Sequence, residues 1–206
     1  MPYIGTQPND VKKNTGLYTP SEILQLEKDG HWGGSLELIE EKSISAVSSA
    51  IFTDIKENVY DVHYLTVENC TVSNNDVPIL MRFFESGVEE SASVYQRAEF
   101  IIDGSGASAE FKSTASDVLY NMWNIGNSTN ESGVSYTYFY NLGNSSKYSF
   151  ITNQEIHISP VPLARTSFGG GVLPQASLVD QIKLFVASGT FSATAKLYGV
   201  KQIWVT

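Results

Sequence analysis

The chain has little cysteine, little charge and no long apolar run. Cys70 is the single cysteine in 206 residues. An intrachain disulfide is therefore impossible, and a zinc site built on cysteines is excluded. Cys70 lies in Leu65-Thr-Val-Glu-Asn-Cys-Thr-Val, a strand-like run, and reads as a buried, inert thiol. A disulfide-free chain fits assembly in a cytoplasm. Charged residues make up 17%, with 13 Lys and Arg against 22 Asp and Glu and a net charge of -9. Phosphate backbones select clustered Lys and Arg, so no nucleic-acid partner is expected. The negative balance serves solubility. No apolar run approaches the roughly 18 residues of a membrane span, so no membrane partner is expected either. The opening Met1-Pro-Tyr-Ile-Gly-Thr-Gln has no basic segment leading into an apolar one, and no signal peptide is expected.

Motifs of common chemistry are missing too. There is no Gly-x-Ser-x-Gly elbow for a nucleophilic serine. Gly104-Ser-Gly-Ala-Ser and Phe168-Gly-Gly-Gly are glycine-rich, but neither is a P-loop or a dinucleotide fingerprint. No cofactor is expected and no catalytic residue is assigned. The Gly169–Gly171 run is expected to allow a tight bend or a close approach between strands.

What the sequence does hold is β-structure. Its apolar fraction is 42% and its mean hydropathy -0.11, as in a globular domain with a substantial core. Near the end, Gln181-Ile-Lys-Leu-Phe-Val and Ala193-Thr-Ala-Lys-Leu-Tyr-Gly-Val flank a small polar connection holding Ser188 and Gly189, the pattern of a β-hairpin. Ile203, Trp204 and Val205 extend the second strand as packed sheet. Strands are expected near 36–39, 45–52, 60–68, 78–84, 97–103, 117–122, 135–140, 149–158, 166–168, 181–187 and 193–205. Ser/Asn/Gly-rich turns separate them. The expected fold is an all-β, jelly-roll-like β-sandwich over 35–206, with an N-terminal extended arm and one short helix over 1–34.

The arm carries unusually good local signals. Thr19 suits an N-cap, Pro20 the first helical position, and Glu22 closes a capping box. Ile23, Leu24 and Leu26 form a small apolar side, and Gly30 is a natural stop. A helix of about ten residues is marginal alone and must dock on something. Tyr3, Ile4, Ile23, Leu24, Leu26 and Trp32 are therefore the expected anchor to a partner.

Two His-carboxylate pairs share strand faces at i, i+2: Asp61 with His63, and Glu155 with His157. Such pairs suit acid–base work or metal ligation, but the plainer reading is a structural strand pair. Glu40-Glu41 and Glu89-Glu90 read as solvated surface. Tyr136, Tyr138 and Tyr140 alternate along one strand, shortly after Trp123 and an Asn-rich loop. Rings and amides of this kind suit saccharide binding. A sheet or subunit interface is the favoured reading, because tyrosine joins an apolar ring to a polar tip.

Three blocks carry a resemblance: the opening Pro2-Tyr-Ile-Gly-Thr-Gln-Pro; Trp32-Gly-Gly-Ser-Leu-Glu-Leu-Ile-Glu with Ser45-Ala-Val-Ser-Ser-Ala-Ile-Phe-Thr and Tyr60-Asp-Val-His-Tyr-Leu-Thr; and the terminal run from Gln181 to Lys201. Together they resemble structural proteins of short-tailed marine bacteriophages, of the tail-fibre or capsid-surface type. The resemblance implies a non-enzymatic virion protein, assembled in the bacterial cytoplasm as a homotrimer. It would be anchored through its arm to other virion proteins of the tail or capsid. The alternative is a lectin-like module that recognises host surface polysaccharide through Trp123, Tyr136, Tyr138 and Tyr140.

Overall fold

The computed structural model describes residues 19–28 and 35–201. The chain divides between Ser35 and Leu36, and the two parts are described separately. In the first part, helix α1 spans Pro20–Lys28. Its capping box forms: the Thr19 amide donates to Glu22 Oε2 at 2.6 Å, and the Glu22 amide to Thr19 Oγ1 at 3.3 Å. Tyr3, Ile4 and Trp32 of the expected anchor lie outside the described residues, as do the expected stop Gly30 and the side chain of Leu26. Leu24 is half-exposed on the helix surface.

The second part is all β, in thirteen strands. They are β1 Leu36–Val47, β2 Ser49–Phe52, β3 Val62–Val72, β4 Val77–Glu85, β5 Val88–Glu89, β6 Tyr95–Asp103, β7 Ser108–Ser116, β8 Leu119–Ile125, β9 Gly133–Tyr140, β10 Ser149–Ile158, β11 Ala164–Leu173, β12 Val179–Phe185 and β13 Phe191–Val200. Eight of them form one sheet in the order β1-β13-β3-β9-β10-β11-β6-β7. The other sheet runs β2-β12-β4, with β5 and β8 both paired to β4. Every pairing is antiparallel.

Eight of the strands carry the double Greek key. The large sheet begins β1-β13-β3-β9, the small sheet is β2-β12-β4-β8, and β1/β2, β3/β4, β8/β9 and β12/β13 each step from one sheet to the other. This is a jelly-roll sandwich. Two insertions enlarge it: β6 and β7, which fall between β4 and β8 in the chain, and β10 and β11, which fall between β9 and β12. All four join the large sheet beyond β9, so that sheet overhangs its partner.

Burial alternates along the central strands, as one-sided sheets require. Leu65 and Val67 of β3, Phe139 of β9, and Ala195 and Leu197 of β13 point inward. They meet Ile79, Met81 and Phe83 of β4, Met122 of β8, and Ile182 and Leu184 of β12. Side chains of this size each contribute roughly 1.5–3 kcal/mol through burial.

Four expectations change, the terminal hairpin among them: β12 and β13 lie in different sheets and do not pair, because the chain crosses the sandwich at their connection. Residues 36–39 and 45–52 regroup, because β1 runs unbroken through the polar stretch Glu40-Glu41-Lys42 to Val47. The chain then crosses sheets at Ser48, just past a left-handed Ala46 (φ 49°). Strand β7 escaped the sequence reading because it is an edge strand exposed on both faces except at Ser113 and Ser116, with no apolar alternation. Of the two readings of Gly169–Gly171, the close approach between strands holds and the bend does not. The glycines lie inside β11, paired on both sides, and a Cβ on Gly169 would sit 2.3 Å from the Ala98 carbonyl oxygen. The last strand ends at Val200, and residues 202–206 lie outside the described residues.

Candidate functional site

The tyrosines expected on one face are there, and two more join them. Tyr198 of β13, Tyr64 of β3 and Tyr138 of β9 stand in register across three adjacent strands. Tyr136 and Tyr140 lie two residues to either side of Tyr138. Since Ser135, Thr137 and Phe139 are buried inward, all five rings face outward. Tyr64 is the hub, with centroids 4.7 Å from Tyr138 and 6.1 Å from both Tyr136 and Tyr198. Burial, foremost, and then the neighbouring phenols push the Tyr64 hydroxyl's pKa up. Tyr136 donates to Gln154 Oε1 at 2.6 Å. The sequence carried the signal for Tyr64 and Tyr198 in strand alternation, but only pairing shows that they share this face.

The surface continues past the tyrosines. Phe150 sits opposite Tyr140, Ile156 opposite Val134, and Phe168 opposite Phe100. Phe168 is 54% exposed and Ile156 50%. On this face β9, β10, β11 and β6 carry no charged side chain, a gap four strands wide in a chain of net charge -9. Its first charges are Lys196 and Glu68 on one flank and Glu110 and Lys112 on the other. Exposed apolar patches of such extent mark interaction sites.

Trp123 is not part of this surface. It sits on β8, which packs on the inner side of β9: Asn121 of β8 donates to Thr137 Oγ1 and accepts from Ser135 Oγ. Trp123 stacks on Tyr120 at 4.4 Å and meets Phe111 of β7 at 4.2 Å. The Arg97 guanidinium lies over Tyr120 and binds Glu99 at 2.5 Å. Burial pushes the Glu99 carboxyl's pKa up despite that partner. The four residues first considered for glycan binding thus fall on two separate surfaces.

The Glu155–His157 pair is interior, whereas of the other pair only His63 is, Asp61 being exposed at the bend before β3. His63 is fully buried, its Nε2 bonded to the Ile55 carbonyl at 2.8 Å, and burial lowers its pKa. His157 Nδ1 meets Glu155 Oε2 at 2.6 Å with both side chains buried. His63 is level with Phe139, whereas His157 is level with Gly133 at the far end of β9, so the two pairs do not converge. Among the described residues no group of three metal-binding side chains forms. Glu89, expected as solvated surface, instead binds both Arg82 and Lys183. Cys70 is buried and its thiol pKa is pushed up to about 12, so it carries no reactivity.

No protein-family model, curated protein or solved structure matches this chain. Its function is therefore argued from its surfaces.

Proposed function

We propose that this chain is a non-enzymatic structural subunit that associates with copies of itself through the outer face of the large sheet. Its setting is a virion, as the resemblance of its short motifs implies, with the N-terminal arm joining it to other particle proteins of the tail or capsid. The observation that carries the proposal is the uncharged aromatic face of β9, β10, β11 and β6, flanked by the tyrosines of β3 and β13. Two chains of charge -9 repel one another, and this is the surface on which they can approach without opposing charges. Tyrosine-rich, charge-depleted centres with charged rims are the usual anatomy of subunit contacts. Jelly rolls also serve capsid and lectin domains, a support by fold analogy alone.

Sedimentation of the full chain tests the association. A homotrimer is expected, a species of about 68 kDa, three times the 22.6 kDa chain. A monomer at all concentrations overturns it. Antibody labelling of intact particles tests the setting: label on tail or head supports a virion subunit, and unlabelled particles beside abundant free protein overturn it. For the arm, Leu24→Asp on the exposed side of α1 should reduce incorporation into particles.

A further inference from the structure

The overhang of the large sheet creates a second feature, on its inner side. Where β8 at the edge of the small sheet meets β6, β7 and β11, there is a crevice of about 350 Å³ lined in part by Trp123. Ile101, Phe111, Ala107 and Ala109 line it, together with Asp103, Asn124 and Arg165. An apolar pocket with a few convergent polar groups, near the small end of the roughly 300–1,000 Å³ range of ligand sites, is what a small molecule needs.

Three groups there are unfinished by the protein alone. Arg165 faces inward from β11, level with His157 and Asp103, and is half-buried. Its guanidinium has no hydrogen bond or ion pair to any described residue, in a chain where Arg82 and Arg97 are both paired. The Ser105 hydroxyl first, and the charge of Arg165 as a lesser cause, hold the Asp103 carboxyl below its ordinary pKa, but the two side chains form no ion pair, so the donors of the guanidinium stay open. The Trp123 indole N–H is buried without an acceptor. Asp103 takes the Ser105 amide at 2.9 Å, the Ser105 hydroxyl at 2.6 Å and the Ala107 amide at 3.1 Å, all on Oδ1, leaving Oδ2 without a hydrogen bond from a described residue.

We infer that this crevice binds one sugar ring bearing a carboxylate, a hexuronate residue. The carboxylate meets Arg165, whose planar fork matches it in two parallel hydrogen bonds. The C–H face of the ring lies against the exposed side of Phe111, the Trp123 indole N–H donates to a ring substituent, and hydroxyls reach Asp103 and Asn124. A single arginine within a negatively charged protein suits a monoanion better than a phosphate dianion. This site is independent of the outer face, so either proposal can fail without the other.

Titration of the full chain with the methyl glycosides of glucuronate, galacturonate and mannuronate, followed by calorimetry and ligand-observed NMR, tests it. Methyl glucoside, which replaces the carboxylate by a hydroxymethyl group, is the control. At least one uronide should saturate, about tenfold or more tighter than the glucoside, and Arg165→Gln should remove that preference. Trp123→Phe should weaken the uronide while leaving the circular dichroism of the fold unchanged. No saturation by any uronide, equal binding of the glucoside, or unchanged affinity in Arg165→Gln would each overturn the assignment.

Discussion

Tyr64 and Tyr138 face each other across the β3–β9 ladder with ring centroids 4.7 Å apart and planes inclined at 40°. Both are half-buried within a single chain, and their remaining faces point outward. The pair thus serves two purposes: it stiffens the sheet and supplies the middle of the proposed contact. Tyr138→Lys separates them. Loss of its ring contacts with Tyr64, Tyr136 and Tyr140 should lower chain stability by about 2 kcal/mol in urea unfolding. Association should fall far more, to monomer in sedimentation velocity, because a cation then sits at the centre of an apolar interface. An unchanged oligomer would place the subunit contact elsewhere.

Gly169 has no room for a side chain. A Cβ there would lie 2.3 Å from the Ala98 carbonyl oxygen and 2.7 Å from Glu99 Cα, both backbone atoms of the neighbouring strand. Gly169→Ala should cost about 3 kcal/mol, the upper end of overpacking, because β6 cannot yield locally. Gly87 is the contrasting case, with φ +79° and nothing within 4 Å of the added carbon. Gly87→Ala should cost about 1 kcal/mol, from backbone strain alone. Urea midpoints of the two variants at unchanged slope check the ordering.

Tyr95 is fully buried at the start of β6, and its hydroxyl joins two backbone groups. It accepts from the Phe83 amide at 3.0 Å and donates to the Glu90 carbonyl at 3.1 Å. Tyr95→Phe keeps the ring and its contact with Phe83 but leaves both groups without that partner. A loss of roughly 1–3 kcal/mol is expected in chemical denaturation.

His63 makes the fold sensitive to mild acid. Burial holds its folded pKa below the ordinary 6.5, so the unfolded chain binds more protons than the folded one between the two values. Stability is then greatest above pH 6.5 and falls as pH drops through that window, levelling off below the folded pKa. His63→Gln keeps an amide donor near the Ile55 carbonyl and has no titration of its own. The difference in unfolding free energy between wild type and variant should shrink from pH 7.5 to 5.5. A pH-independent difference would show that His63 does not titrate in this window.

Much of this was written in local pattern. The capping box at Thr19 and Glu22, the bounds of β10 and the outward tyrosines of β9 follow from side-chain chemistry and a period of two, which act over a few residues. The readings that changed were those where local pattern is silent. Strand β7 has almost no buried side, so it leaves no alternation to read. The glycines of β11 suit a bend or a close approach alike, and only the pressing of β6 and β10 on both sides of them decides for the close approach.

The sequence by itself determined that the chain is an all-β, disulfide-free sandwich with an uncharged aromatic strand, because strand alternation and composition are properties of neighbours along the chain. Only the tertiary structure decided that Tyr64 and Tyr198 join Tyr136, Tyr138 and Tyr140, that Trp123 leaves them, and that it meets Phe111 and Tyr120 instead. The tyrosine pairings across strands link residues far apart in the chain. They depend on the order of strands in the sheets, which is set by how the whole core closes and not by any one segment.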